Sequence, residues 1–239
     1  MKLSEVFSQL AYGELVQLGV INETGDSILP SKYGQMVAHI NLGLSALYKR
    51  FPLKESRVVI RLQKGKVTYL LNSEEDTLFI ENTDSPEFID DIHKIERVYT
   101  SAGVEFPLND ESSEYSCFTP SMTTLRVPYA VVNTSVDVHK DFITDNITIV
   151  YRAAHPKIIY KDTGFKPKDI EIELPSSHLE PLLLYVASRI NNPIGMTNEF
   201  HAGNSYYAKY EKACQDLEIQ NIRVDQGKQN NRLRANGWV

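Results

Sequence analysis

Residues 57–71 read Arg-Val-Val-Ile-Arg-Leu-Gln-Lys-Gly-Lys-Val-Thr-Tyr-Leu-Leu. Two β-rich runs, Arg57–Leu62 and Val67–Leu71, flank Gln63-Lys64-Gly65-Lys66, where Gly65 is free to take positive φ, so the stretch predicts a β-hairpin. It also marks a change of period. Upstream, Leu3, Val6, Phe7, Leu10, Leu15 and Leu18 recur at helical spacing over residues 3–18, with Gly19 as a stop. A second helix is predicted from about Ser31, carrying Tyr33, Met36, Val37, Ile40, Leu44, Leu47, Tyr48 and Phe51 until Pro52 ends it.

Downstream, further strands are predicted at 95–100, 123–127, 130–138, 146–151, 158–160 and 170–174, separated by prolines and by the polar loop Asn109–Glu114. No helical run of ten to fifteen residues separates them, so they read as a small antiparallel domain and not as βαβ units. Helical periodicity returns after Pro175, with Ser176 and Ser177 as caps and Leu179, Leu182, Leu183, Val186 and Ile190 as the apolar stripe. A fourth helix over roughly 198–217 carries Phe200, Tyr206, Tyr207, Tyr210, Ala213, Cys214 and Leu217, an aromatic group expected to pack between helices.

The predicted class is α+β: a discontinuous helical bundle built from both chain ends, an inserted antiparallel β domain, and an extended C-terminal arm. The expected limits are 1–56 and 175–219 for the two halves of the bundle, 57–174 for the β domain and 220–239 for the arm. Within 220–239 the four cations Arg223, Lys228, Arg232 and Arg234 face only Asp225, so this segment carries +3 of a chain whose net charge is −6. Its apolar residues show no period, and alone it lacks the means to build a core.

At 239 residues with 42% hydrophobic and 23% charged side chains, the chain can bury one good core or two modest ones. A net charge of −6 gives no reason to expect a nucleic-acid duplex or an anionic membrane as primary partner. The first residues lack the apolar region and small-residue cleavage site of a secretion signal, and no window approaches a membrane span, so synthesis and folding in a cytoplasm are expected. Two cysteines, Cys117 and Cys214, are too few for a disulfide framework or a cysteine zinc site.

The common phosphate, dinucleotide, zincin and serine-hydrolase signatures are missing. Asp137, His139 and Asp141 alternate, which on a strand would put all three on one face as a metal or acid-base site requires. Val136 and Val138 on the opposite face make an ordinary half-buried strand the simpler expectation. The acidic runs at 74–76, 90–91 and 110–111 lack the pattern of an EF-hand and read as solvated surface. No catalytic residue, metal ligand or cofactor is expected.

Two stretches carry a likeness. One runs from Tyr12-Gly-Glu-Leu15 through Ile40-Asn-Leu-Gly-Leu-Ser-Ala-Leu-Tyr-Lys-Arg-Phe51 and the exit Pro52-Leu53-Lys54. The other is Glu173-Leu-Pro-Ser-Ser-His-Leu-Glu-Pro-Leu-Leu-Leu-Tyr-Val-Ala-Ser-Arg189, followed by the tyrosine-rich helix and the polar arm. In these the chain resembles the head-to-tail adaptor (connector) proteins of tailed bacteriophages, with a layout similar to the podoviral tail tubular A proteins. The likeness covers the helical ends, about half the chain, and touches the β insertion only by position and size.

That resemblance implies a structural virion protein: a homo-oligomeric ring, commonly a dodecamer, docked beneath the portal with the tail nozzle or tail tube on its far side and genomic DNA passing through the lumen. A net negative wall suits DNA that must slide without being gripped. Trp238, the one tryptophan, stands at the end of the arm with nothing local to pack on. Burying it would remove roughly 150–250 Å² from water. The expected portal contacts are Arg223, Arg232, Leu233 and Arg234 with Trp238 and Val239 as apolar anchors; Lys64, Gly65 and Lys66 at the turn are expected to meet a neighbouring subunit or the next tail component. The alternatives are a carbohydrate-binding or hydrolytic module, and a head-completion or tail-terminator protein of the same neck.

Overall fold

The computed structural model describes residues 1–16, 18–72, 88–133, 142, 144–191 and 198–229, with the side chains of the last segment described over 203–220. The chain is α+β. It divides into two compact units, one made of Met1–Leu47 with Lys157–Val239, the other of Tyr48–Pro156.

The first unit holds α1 (Leu3–Tyr12), most of α2 (Tyr33–Arg50), α4 (Leu179–Ile190) and α5 (Asn198–Gln229). The apolar stripes read from the sequence are buried: Leu3, Val6, Phe7 and Leu10 on α1, Met36, Val37, Ile40, Leu44 and Leu47 on α2, Leu182 and Val186 on α4. The first helix stops earlier than residue 18. Gly13 N–H turns back to Gln9 C=O at 3.0 Å and Leu15 N–H to Leu10 C=O at 3.0 Å, so Leu15 is buried from a turn and not from a helix. Neither Ser176 nor Ser177 caps α4; both lie in a 3₁₀ turn, Ser176–His178, that leads into it.

The second unit holds β1 (Glu55–Arg61), β2 (Thr68–Leu70), β3 (Ile92–Thr100), β4 (Glu105–Phe106), β5 (Phe118–Ser121), β6 (Thr124–Arg126), the short helix α3 (Tyr129–Asn133) and β7 (Asn146–Ala153). These make two antiparallel sheets, ordered β1-β7-β3-β4 and β2-β6-β5. Val58, Ile60, Val98, Ile147 and Ile149 from the first and Tyr69 and Leu125 from the second, with Leu71 just after β2, join one apolar core.

Four strand expectations change. The runs 57–62 and 67–71 do not pair with each other: β1 pairs along all seven residues with β7, and β2 pairs with β6. Either partner would bury Val58 and Ile60, but β7 offers β1 a seven-residue ladder and β2 is only three residues long. Residues 130–133 turn as α3, with Val131 and Val132 N–H both directed to Pro128 C=O. Residues 158–160 and 170–174 form no strand and belong to the helical unit, where Glu171 makes only an isolated bridge to Lys2. The β unit therefore ends at Pro156 and not near Leu174.

At the other end, α5 runs to Gln229, so 220–229 continue a helix and are not an irregular arm. Residues 230–239 lie outside the described residues.

Candidate functional site

The turn at 63–66 is built as its composition demands. Lys66 N–H reaches Gln63 C=O at 3.0 Å, and Gly65 takes φ +78°, a conformation that costs other residues about 1 kcal/mol or more. The fully buried Tyr69 holds it from below, its hydroxyl accepting Gln63 N–H at 2.9 Å. Burial raises the phenol pKa of Tyr69, so it stays a neutral hydrogen-bonding group. Lys64 and Gly65 are exposed, whereas Lys66 is half-buried with its ammonium 5.4 Å from the Tyr69 ring centre. The turn therefore presents the exposed Lys64 beside the half-buried Lys66. Leu62, Gln63, Lys64, Val131, Val132, Thr144 and Asp145 line a depression of about 290 Å³ beside it.

In the helical unit the tyrosines of α5 split by role. Tyr210 is buried against Tyr185 of α4, edge to face with ring centres 5.2 Å apart, and Cys214 is buried one turn on. Tyr206 donates its hydroxyl to Glu14 C=O at 3.2 Å. Tyr207 is 49% exposed and Ile219 likewise. A groove of about 450 Å³ between α4 and α5 is lined with Glu180, Lys209, Lys212 and Asp216 around Pro181 and Leu184. It carries both charge signs in equal number, and selects for neither an anion nor a cation.

Of the expected portal contacts, Arg223 is on the backbone of α5; Arg232, Leu233, Arg234, Trp238 and Val239 lie outside the described residues. So do Asp137, His139 and Asp141. Among the described residues no three His, Cys, Asp or Glu side chains converge to hold a metal ion, and no helix is long and apolar enough to cross a membrane. Cys117 is buried, and desolvation alone pushes its thiol up to about 12, far from the thiolate a nucleophile needs.

One feature escaped the sequence reading. A surface groove of about 610 Å³ in the β unit is lined by Glu111, Glu114, Phe118, Arg126 and Tyr129, the last 69% exposed. Its signal was divided between the loop after Asn109 and the Pro128-Tyr129 step, which meet only through folding. Asn109 sits at φ +56° and holds the loop by exchanging side-chain hydrogen bonds with Thr119.

The chain matches no protein-family model and no curated protein sequence.

Proposed function

We propose that this is a structural virion protein: a head-to-tail adaptor that assembles as a ring, commonly of twelve copies, between the portal at the capsid vertex and the tail nozzle or tube. In this proposal α1, α2, α4 and α5 form a discontinuous bundle, the β unit is its insertion, and DNA passes the lumen without specific binding. No catalytic step or cofactor is part of it. The protein is made in the host cytoplasm and resides in the virion.

The observation that supports this best is the mismatch between α4 and α5. The helices have 12 and 32 residues, about 18 and 48 Å at 1.5 Å per residue. The first half of α4 (Glu180, Leu184) and Ser177 just before it lie beside Lys209–Gln220, so the backbone of 221–229 continues past the end of its partner. A helix that outruns its partner offers backbone length on which a further contact can be built on assembly. The 220–239 stretch carries the excess of arginine together with Trp238, chemistry suited to an acidic surface with an apolar pocket, repeated around a ring so that weak contacts add.

The test is mass photometry of the full chain with and without a purified portal ring, beside a chain truncated after Leu217. Formation of a discrete high-order ring on the portal by the full chain, and none by a truncated chain that keeps its circular dichroism, supports the adaptor. Equal docking by both removes 220–239 from the contact. Indifference of the full chain to any portal turns attention to the groove around Tyr129 and Arg126, whose aromatic and charged lining is what a carbohydrate-binding module would use.

A further inference from the structure

The groove beside Tyr129 lies wholly within the β unit, and the fold builds it from two directions. On the outer face of the three-stranded sheet, opposite the buried Tyr69 and Leu125, Arg126 stands between Thr68 of β2 and Phe118 of β5. The other wall is the loop Asn109–Ser116. Its backbone is fixed by its own polar side chains: Ser116 Oγ accepts Asp110 N–H, Asp110 Oδ1 accepts Ser112 N–H and Asn109 Oδ1 accepts Thr119 N–H, each at 2.9 Å. None of these bonds uses Glu111 or Glu114. Both carboxylates are exposed, as is Arg126, which lines the same groove. None of the three makes an ion pair with a described residue.

This lining rejects most ligand classes. A cation meets Arg126, an anion meets Glu111 and Glu114, and an apolar molecule would take three charged groups out of water without a partner. A neutral molecule rich in hydroxyls satisfies all three, since it donates to the carboxylates and accepts from the guanidinium. Phe118, Val67 and Pro128 add an apolar wall, and Tyr129 keeps 69% of its surface exposed beside contacts of its own. A saccharide has both kinds of surface, hydroxyls around its rim and C–H groups on its ring face. We propose that this groove binds a neutral oligosaccharide, with Arg126, Glu111 and Glu114 on its hydroxyls and Phe118 against a ring face.

The volume of about 610 Å³ lies within the range usual for ligand sites, and a surface groove takes a run of sugar units more readily than one enclosed molecule. A peptide is also neutral along its backbone, but it binds a sheet by adding a strand at an edge. The edge of β5 beside the groove is already taken: Cys117 N–H donates to Pro107 C=O and Asn109 N–H to Cys117 C=O, both at 2.8 Å. What the groove offers is side chains. The site goes beyond the adaptor proposal and does not depend on it, since a single chain holds all of its residues.

The experiment is a titration of the full chain, followed by NMR, with maltotetraose, cellotetraose and chitotetraose, each taken to about 10 mM so that a weak site is filled. At least one of them binds saturably and shifts the amide signals of Glu114, Phe118 and Arg126, while those of Val58 and Ile147 in the other sheet stay in place. R126Q and E111Q/E114Q each keep the circular dichroism of the wild type, since all three side chains are exposed, and each weakens binding at least about fivefold. Raising the ionic strength about tenfold changes Kd less than about twofold, because the ligand carries no charge. Absence of saturable binding by all three saccharides overturns the proposal. So does binding that R126Q strengthens, which marks a site for a cation, or that E111Q/E114Q strengthens, which marks one for an anion. Binding that leaves the Phe118 and Arg126 signals unmoved also overturns it, since the saccharide would then sit elsewhere.

Discussion

Gly43 on α2 lies so close to Leu182 on α4 that a Cβ added there would stand 2.7 Å from Leu182 Cδ1 and 3.1 Å from the Tyr185 ring. Leu182 is fully buried, so its methyl has nowhere to retreat. Glycine in a helix interior otherwise costs about 1 kcal/mol relative to alanine, and its place here follows from the approach of the two helices.

Gly43→Val is accordingly expected to destabilise by about 2–4 kcal/mol, combining overpacking with the lower helix propensity of a branched residue. Gly43→Ala should cost less, since its gain in propensity offsets part of the clash. Thermal denaturation of the two variants checks both. A G43V chain as stable as the wild type would mean that α2 and α4 are not in this contact.

Asn41 clamps the returning chain. Its side-chain amide donates to Ile158 C=O at 2.9 Å, and its carbonyl oxygen accepts Ile158 N–H at 3.0 Å. Ile158 is 7% exposed, so Asn41→Ala leaves a buried donor and acceptor without partners. A loss of about 1–3 kcal/mol is expected, with faster amide exchange at Ile158 as the local readout. Denaturant titration and hydrogen exchange on the same sample separate this from a global effect.

Tyr69→Phe removes the hydroxyl that accepts Gln63 N–H while keeping the buried ring. The expected cost is about 1 kcal/mol, concentrated at the turn. Exchange at Gln63 should accelerate more than exchange at Val58 or Ile60 in β1. If the turn is a docking element, this variant weakens that contact without changing the charge on Lys64.

Histidine titration gives a pH dependence of definite sign. Burial holds His39, His93 and His178 below their ordinary 6.5; Arg189 adds to the effect at His39 and Lys49 at His93. Their folded forms are neutral. Between 6.5 and the lower folded values the unfolded chain binds more protons, so stability falls as pH falls through that window. The melting temperature at pH 5.5 should lie below that at pH 7.5. His39→Leu, which also deletes a buried Nδ1 without a hydrogen-bond partner among the described residues, should flatten part of the slope.

How legible the fold was depended on how far each signal reached along the chain. The helical stripes on α1, α2 and α4 were visible because one apolar face per 3.6 residues is a local signal that survives in any context. Strand β3 shows the opposite. His93 and Glu96 are extra residues opposite β7, two bulges that move the buried positions to Ile92, Ile95 and Val98 and break the alternation; alternation alone therefore predicts a strand that starts three residues late. Residues 158–160 have strand composition, but Asn41 takes the backbone bonds of Ile158 that a neighbouring strand would have used. In the candidate site, Gly65 announced its turn, whereas the groove by Tyr129 joins segments that meet only in the fold.

By itself the sequence determined the α+β class, the helical ends with β structure between them, the turn at 63–66 and the burial of the apolar stripes, since each follows from the period and backbone freedom of adjacent residues. Only the tertiary structure decided that β1 leaves β2 for β7, that the β unit closes at Pro156, and that α5 outruns α4. Those choices compare contacts between residues many positions apart, where the longer ladder or the better-filled gap prevails, and no local pattern carries that comparison.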